Sequence, residues 1–286
     1  MFRSVMQTWA LTGLEPVYES DRRAVFLAES ENFGPVVLKY NTNSAALSQE
    51  YAALCAFSGK SFCKVFAYDA EAHLLLEERI LPGTPLRAEP DIHHRLRCFA
   101  SVFQSIHRPA ASSCPTYLDW LEKAYTNCLN LPLPADITQQ METALQFGQE
   151  LFSKYPDRVL LHGDLHHDNI LLSSDGSYRV IDPKGVSGPA VFDIPRFVLN
   201  ELDPALGSAD IPHIRSVIHI LSELLCYEES DLAKLFFMET ILANVWSMED
   251  GDPADMQSLS VAAGFKDFQT LEPDGNRACT CLSKGV

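Results

Sequence analysis

The segment HGDLHHDNIL at residues 162–171, followed by DPKG at residues 182–185, decides the fold of this chain. It places Asp164 five residues before Asn169 and eighteen residues before Asp182. Short apolar strands are predicted on both sides of the polar part, so buried anchors would hold its side chains in a defined geometry. An aspartate, an amide and a second aspartate in this order are the groups that phosphoryl transfer from a nucleotide requires.

Each of these three residues has a candidate role. Asp164 could accept the proton of a substrate hydroxyl, while Asn169 and Asp182 offer the hard oxygen ligands that magnesium prefers. The alternative is that all three are turn and cap residues, because Asp and Asn are common in loops for local hydrogen-bonding reasons. The joint pattern between strands is more specific than a lone aspartate–asparagine pair, and it favours the phosphoryl-transfer interpretation.

An upstream lysine fits the same chemistry. Lys39 ends the apolar segment VVLK at residues 36–39, and Glu50 on the following predicted helix could be the partner that keeps it charged. A Lys–Glu pair that positions phosphates is part of the kinase machinery. The alternative is a lysine on an edge strand, whose stem packs on apolar surface while its ammonium group reaches water.

The segment LLLEERILPG at residues 74–83 predicts an extended connection that Pro82-Gly83 ends. Its backbone groups, around Glu78 and Ile80, are the candidate site for the edge of an adenine base. An equal alternative is a connector that binds no ligand.

The pattern of apolar residues divides the 286-residue chain near Pro82-Gly83. Before residue 80 it predicts short strands and one helix, and after residue 85 it is mainly helical. The predicted strands lie at 14–18, 24–28, 35–40, 65–68, 73–76, 159–161, 170–172 and 178–181. The predicted helices lie at 43–57, 92–106, 136–155, 211–226 and 230–247, with Asp136 as one N-cap and Asp252 as the N-cap of a further helix.

Together these motifs resemble the aminoglycoside phosphotransferase family over about residues 14–255. The resemblance is carried by His162-Gly163-Asp164 with Asn169, by Ile181-Asp182 and by Lys39. A closer similarity, to the aminoglycoside 6-phosphotransferase and hydroxyurea kinase branch that includes streptomycin kinases, is carried by the segments 78–83, 162–171, 181–186 and 245–250.

The resemblance implies an α+β, two-lobed protein-kinase-like fold. Residues 1–80 would form a small antiparallel-sheet lobe that binds nucleotide, and residues 81–265 a larger, mostly helical lobe for catalysis and substrate. Residues 266–286 would form a flexible tail.

The resemblance also implies an activity: transfer of the γ-phosphoryl group of ATP or GTP, with magnesium, to a hydroxyl group. The implied roles are catalytic base for Asp164, metal ligands for Asn169 and Asp182, phosphate contact for Lys39 with Glu50, and structural support for His162 and Asp193. The chain departs from the family pattern at residues 14–24, which contain no glycine. Since a glycine-rich turn lets backbone amides approach phosphate, Ser20, Arg22 and Arg23 become the candidate substitutes.

The sequence gives weaker signals for the residues that bind the substrate. His166 and His167 lie within the loop of Asp164 and are expected to line its mouth. Trp246 with Glu249 and Asp250 suits a cationic sugar or guanidinium group, through stacking and charge-assisted hydrogen bonds. The alternative is that Trp246 belongs to the core and the two acids to a solvated helix end. Glu223 and Glu239 are expected on exposed helix faces.

The composition favours a small cationic partner over nucleic acid or membrane. The formal net charge is −16, which repels polyanions and attracts cations. No apolar run approaches the roughly 20 residues of a membrane span, and no signal peptide is evident, so a cytoplasmic location is expected. The predicted acceptor is aminoglycoside-like, of the streptomycin type, or of the hydroxyurea type. The alternatives are a kinase of a cellular metabolite such as choline, homoserine or a sugar-like compound, and a non-catalytic nucleotide-binding protein.

Overall fold

The fold is described by a computed structural model over residues 2–58, 61–111, 114–130, 135–203 and 210–266. An antiparallel sheet occupies the first part of the chain and helices dominate the rest, as the α+β prediction requires. The tail predicted at residues 266–286 lies outside the described residues, apart from Lys266.

The N-terminal part contains five strands: β1 (Leu11–Glu19), β2 (Arg23–Ser30), β3 (Gly34–Asn41), β4 (Val65–Asp69) and β5 (Leu74–Glu78). They form one antiparallel sheet in the order β1-β2-β3-β5-β4. Helix α1 (Phe2–Thr8) precedes the sheet, and α2 (Ser44–Phe57) joins β3 to β4. Because β3 pairs with both β2 and β5, Lys39 lies opposite Val25 and Leu75 in a central strand. The edge-strand alternative for Lys39 is therefore wrong.

Helices make up most of the C-terminal part: α3 (Ile92–Ile106), α4 (Tyr117–Asn130), α5 (Ala135–Lys154), α6 (Pro195–Leu199), α7 (Asp210–Leu225), α8 (Glu229–Glu249) and α9 (Met256–Ala263). The short strands are β6 (Pro82–Pro85), β7 (Arg108–Pro109), β8 (Val159–Leu161), β9 (Ile170–Ser173), β10 (Tyr178–Val180) and β11 (Val186–Gly188). They form two small sheets, β10-β9-β6 and β11-β8-β7. Residues 162–169 therefore connect β8 to β9, and residues 181–185 connect β10 to β11. In the described part of the chain, no helix is long and apolar enough to cross a membrane.

Two apolar clusters pack on the two faces of the N-terminal sheet. Leu76 belongs to the smaller cluster, which also contains Val5 of α1. Its neighbour Leu75 belongs to the larger cluster. Successive strand residues point to opposite faces, so this split follows from the strand geometry. The larger cluster includes Leu47 and Phe57 of α2 and continues through the helical part. The division into lobes at residue 80 stays a prediction, since one core crosses it.

Every predicted strand and helix has a counterpart, with ends that differ by a few residues. Three of the described helices were not predicted: α1, α4 and α6, of which α6 has only five residues. Helix α1 has only seven residues and thus little periodic signal. Helix α4 does carry a signal that the sequence offered, because its buried residues recur at helical spacing: Tyr117, Leu121, Ala124 and Cys128.

Two predicted N-caps are wrong. Asp136 lies inside α5, which begins at Ala135. Asp252 lies before α9, but its backbone amide donates to the Ser247 carbonyl at 2.9 Å and closes the end of α8. The N-cap of α9 is Asp255, whose carboxylate accepts hydrogen bonds from the backbone amides of the second and third following residues.

Substitution of the two candidate caps distinguishes them. We expect Asp255→Ala to lower the free energy of unfolding by about 1 kcal/mol, because two amides of the first turn lose their acceptor. The matched variant Asp252→Ala should change it by less than about 0.5 kcal/mol. Urea unfolding of both variants measures the difference, and equal losses would contradict the assignment of Asp255.

Candidate active site

The loop at residues 162–169 is fixed by one buried carboxylate. Asp193 accepts hydrogen bonds from the backbone amides of His162 at 2.9 Å and Gly163 at 2.8 Å. His107 Nε2 lies 2.9 Å from the same carboxylate and is its third donor. A buried charge is tolerated only when it is well hydrogen-bonded. Because two consecutive amides are fixed, the direction in which the chain leaves β8 is fixed too, and with it the place of Asp164.

His162 connects this loop to the one that carries Asp182. Its side chain is fully buried, and burial lowers the pKa of the imidazole, which favours the neutral ring. Nδ1 accepts from the backbone amide of Asp164 at 3.1 Å, so Nε2 carries the proton and donates to the Ile181 carbonyl at 2.8 Å. One neutral tautomer thus bridges the two loops.

Lys39 is the centre of a buried cluster of charges. Its ammonium group contacts Glu50 on α2, Glu77 on β5 at 3.1 Å and Asp182 at 3.1 Å. Burial alone would lower the pKa of Lys39, but the three carboxylates outweigh it and hold that pKa well above its ordinary value. Lys39, Glu50 and Asp182 are thus brought together as a group. Glu77 was not predicted, although an acid that ends an apolar strand segment is a signal for a buried ion pair.

Asp182 joins this cluster to the loop of Asp164. One carboxylate oxygen of Asp182 faces Lys39, and the other accepts from the Lys184 ammonium group at 2.5 Å. The same ammonium group lies 3.6 Å from Asp164 Oδ2. Burial would raise the pKa of Asp182, but the two lysines hold it well below its ordinary range. Contacts therefore run without a break from Lys39 to Asp164.

Asn169 and Asp182 carry donors that fit a magnesium ion. The side-chain amide of Asn169 donates to the Asp164 carbonyl at 2.9 Å, which leaves its amide oxygen to act as a ligand. Nearby, the three carboxylates of Glu50, Glu77 and Asp182 share the ammonium groups of Lys39 and Lys184, so a divalent cation would improve the charge balance. Within the described ranges no group of three His, Cys, Asp or Glu side chains could hold a metal. One carboxylate and one amide suit an ion whose remaining ligands are phosphate oxygens and water.

An unpredicted buried group lies on the other side of Asp164. Arg196 Nε lies 3.3 Å from Asp164 Oδ1 and 2.8 Å from Glu239 Oε1, and the Tyr117 hydroxyl donates to the second oxygen of Glu239. Glu239 is buried, so its predicted place on an exposed helix face is wrong. The reason is that α8 is buried on nearly all sides. Its sequence therefore has no separate polar face from which the exposure of Glu239 could be predicted. These three residues are far apart in sequence and leave no local signal.

The two adjacent histidines point in different directions. His166 Nε2 lies 4.0 Å from Asp164 Oδ1, on the side of the site. His167 is buried, with Nε2 2.6 Å from Glu201 and its ring stacked on Phe197. The prediction that His167 lines the mouth of the site is therefore wrong. A short 3-10 turn begins at His167 and directs its side chain inwards.

Trp246 is partly buried and reaches Asp164 only through Arg196. Its ring packs edge-on against Trp120 at 5.5 Å between centroids, and the Arg196 guanidinium lies 5.8 Å from its ring centre. Glu249 accepts from the side-chain amide of Asn127 at 2.9 Å, and both Glu249 and Asp250 are exposed. The structure thus places Trp246 near the site and the two acids at the end of α8.

A cavity of about 410 Å³ lies beside Arg196. Its charged lining consists of two guanidinium groups, from Arg87 and Arg196, and the carboxyl group of Asp255. Asparagine and serine side chains supply most of the other polar groups. The predicted set of Trp246, Glu249 and Asp250 does not line this cavity.

The linker after β5 offers one donor to a ligand. The backbone amide of Glu78 donates to the Lys64 carbonyl at 2.8 Å, and its carboxylate accepts from the Lys64 amide at 3.1 Å. Among the described residues, the Ile80 amide donates to no partner. Ile80 therefore retains the donor that recognition of a base edge would use, whereas the amide and the carboxylate of Glu78 are engaged by Lys64.

The turn between β1 and β2 is held by hydrogen bonds between Ser20 and Arg23. The Ser20 amide donates to the Arg23 carbonyl at 2.8 Å, and the Ser20 hydroxyl donates to the same carbonyl at 3.0 Å. That hydroxyl also accepts from the Arg23 amide at 3.1 Å. The polar groups of Ser20 are thus used within the turn, which leaves the exposed side chains of Arg22 and Arg23.

Residues 9–251 match the family of aminoglycoside/hydroxyurea antibiotic resistance kinases. The chain belongs to this family. The resemblance inferred from the motifs is confirmed, and the protein is a small-molecule phosphotransferase with an alcohol group as acceptor. A streptomycin 3''-kinase from Klebsiella pneumoniae is 27% identical over 208 residues, which span 70% of this chain and 76% of that protein.

Solved structures of two other kinases share the fold. Choline kinase LicA from Streptococcus pneumoniae matches with a TM-score of 0.69 and 15% identity, over 93% of this chain and 98% of that chain. Aminoglycoside phosphotransferase APH(4)-Ia, in a ternary complex with ADP and hygromycin B, matches with a TM-score of 0.65 and 14% identity, over 93% and 96%. The predicted two-lobed protein-kinase-like fold is thereby confirmed.

The glycine that precedes Asp164 should be indispensable, and a second glycine provides the control. Gly163 and Gly176 have nearly the same φ, +78° and +79°. An added Cβ at Gly163 would lie 2.9 Å from both Trp120 and Val186, whereas at Gly176 it would meet nothing within 4 Å. We expect Gly176→Ala to lower the free energy of unfolding by about 1–2 kcal/mol and Gly163→Ala by about 1–3 kcal/mol more. Urea unfolding measures both, and equal losses would show that the contacts of Gly163 do not matter.

Proposed function

We propose that this protein transfers the γ-phosphoryl group of ATP, or of GTP, with magnesium to a hydroxyl of an aminoglycoside-like acceptor of the streptomycin type, or of a hydroxyurea-type acceptor. The observation that carries the proposal is the unbroken line of contacts from Lys39 through Asp182 and Lys184 to Asp164. Residues 1–80 would bind the nucleotide, and residues 81–265 would supply the catalytic and acceptor groups.

The contacts support the roles that the family resemblance implies. As the acceptor hydroxyl oxygen attacks the γ-phosphorus, Asp164 takes the hydroxyl proton. The bond from the γ-phosphorus to the bridging oxygen breaks, and its electron pair stays on that oxygen of ADP. Lys39, held by Glu50, contacts the α- and β-phosphates. Asn169 and Asp182 hold magnesium, which neutralises phosphate charge when bound.

The relatives support the nucleotide and the acceptor class. APH(4)-Ia has been crystallised with ADP, and LicA with AMP. The curated relative acts on streptomycin, and the family description names aminoglycosides and hydroxyurea. The formal net charge of −16 supports a cationic acceptor, because an acidic surface attracts small cations.

Removal of the base tests the mechanism. We expect Asp164→Asn to lower kcat by about 10²- to 10⁴-fold with unchanged nucleotide affinity, because the fold and the phosphate contacts remain. Asp175→Asn, in the β9–β10 turn, is the matched control and should leave kcat unchanged. Release of ADP measures kcat, and titration calorimetry measures affinity. Full activity of the Asp164 variant would contradict the proposed base.

A panel of acceptors tests the substrate class. Streptomycin, other aminoglycosides, hydroxyurea, choline and homoserine are compared by ADP release at equal concentration. We expect the highest kcat/KM with streptomycin-type or hydroxyurea-type acceptors. Turnover of choline or homoserine alone would replace this class by a cellular metabolite. Absence of ADP release with every acceptor would contradict the proposed acceptor class.

A further inference from the structure

The group that is transferred needs a positively charged partner in the nucleotide site. Phosphoryl transfer is catalysed mainly by positioning and by charges aimed at the moving group. The β1–β2 turn uses the Ser20 amide and hydroxyl internally, and the Lys39 ammonium group is already engaged by three carboxylates. A cation that contacts both Asp182 and Asp164 would lie between the nucleotide and the acceptor.

Lys184 occupies that position. Its ammonium group lies 2.5 Å from Asp182 Oδ2 and 3.6 Å from Asp164 Oδ2, between the proposed metal ligand and the proposed base. A phosphoryl group that moved from a nucleotide at Asp182 to a hydroxyl at Asp164 would pass close to this ammonium group. The side chain is 40% exposed, so a ligand can reach it.

The backbone around Lys184 is fixed on both sides. Its amide donates to the His162 carbonyl at 2.7 Å, which ties it to the loop of Asp164. The next carbonyl, of Gly185, accepts from the side-chain amide of Gln49 on α2 at 3.1 Å. Gly185 has a φ of +66°, and an added Cβ would lie 2.7 Å from Ala53 of the same helix. A reachable cation on a fixed backbone suits contact with a reacting group.

We propose that Lys184 is a catalytic residue that binds the γ-phosphoryl group during transfer, an inference that rests on the proposed function. The ammonium group donates hydrogen bonds to the non-bridging oxygens and keeps its own protons. The hydroxyl proton goes to Asp164, and the electron pair of the broken bond stays on ADP. In this chain Lys184 thus takes over the charge that a glycine-rich turn would otherwise supply through backbone amides.

Nucleotides of different length provide a test that does not depend on turnover. Binding of ADP and of AMP-PNP, each with magnesium, is measured by titration calorimetry. We expect Lys184→Met to weaken AMP-PNP binding by about 10- to 100-fold and to leave ADP binding unchanged, because only AMP-PNP carries the third phosphate. Lys184→Arg should recover part of the AMP-PNP affinity. The control is Lys234→Met, which removes an ion pair with Glu150 between α8 and α5 and should change neither affinity.

The kinetic readout separates catalysis from a structural role. With the acceptor that gives most ADP release, Lys184→Met should lower kcat by about 10²- to 10³-fold while the KM of the acceptor stays the same. Unaltered AMP-PNP affinity, or equal loss of AMP-PNP and ADP affinity, would overturn the inference and leave Lys184 as a structural ion-pair partner. If the wild-type protein binds neither nucleotide, the proposed function fails, and the inference falls with it.

Discussion

The active-site region depends on one buried ammonium group. Lys39 in the central strand of the N-terminal sheet is the common partner of Glu50, Glu77 and Asp182, which belong to a helix, a neighbouring strand and a loop of the C-terminal part. Each carboxylate would be costly in this place without the lysine, and the lysine without the carboxylates. The interaction therefore sets the relative positions of β3, α2 and the loop that carries Asp182.

In the helical part, buried carboxylates likewise fix the position of a loop, the one at residues 162–169. Asp193 fixes the start of the 162–169 loop through two amides, and Glu201 fixes its middle. Glu201 accepts from Arg95 of α3 at 2.8 and 2.7 Å and contacts His167 at 2.6 Å. Burial would raise the pKa of Glu201, but these two partners hold it at about 2. The end of the loop is held by the Ile181 amide, which donates to the Asn169 carbonyl at 3.0 Å. Asp164 is thus presented by a loop that is held at three points.

Local patterns were enough to single out three candidate residues, and to predict the strands around them and the α+β class. Asp164, Asn169 and Asp182 lie within nineteen residues of one another, and the alternation of short apolar strands marks their anchors. Lys39 could be predicted because a charge in an apolar strand requires a partner. These signals are local, so they can be recognised in the sequence without knowledge of tertiary contacts.

The remaining site residues depend on contacts that no local pattern records. Tyr117 and Glu239 are 122 positions apart, and Arg196 meets both Glu239 and Asp164 only in the folded chain. The wrong expectation for Glu239 has the same origin, because a helix that is buried on nearly all sides shows no polar face. His167 shows the limit at the shortest range, since adjacent residues of one motif can point to opposite sides of a loop.

The exposed fraction of the charged side chains rises from Glu77 through Lys39 and Asp182 to Lys184. Glu77 and Lys39 are 2% and 12% exposed at the sheet end, whereas Asp182 and Lys184 are 32% and 40% exposed at the loop end. A charge at the sheet end must be satisfied by the protein itself, because water cannot reach it. Charges at the loop end can exchange a protein partner for a ligand at little cost, since solvent already competes for them. The Lys184–Asp182 pair is therefore the contact that an incoming phosphate and cation can displace, while the Lys39 cluster keeps the sheet and the loops in place.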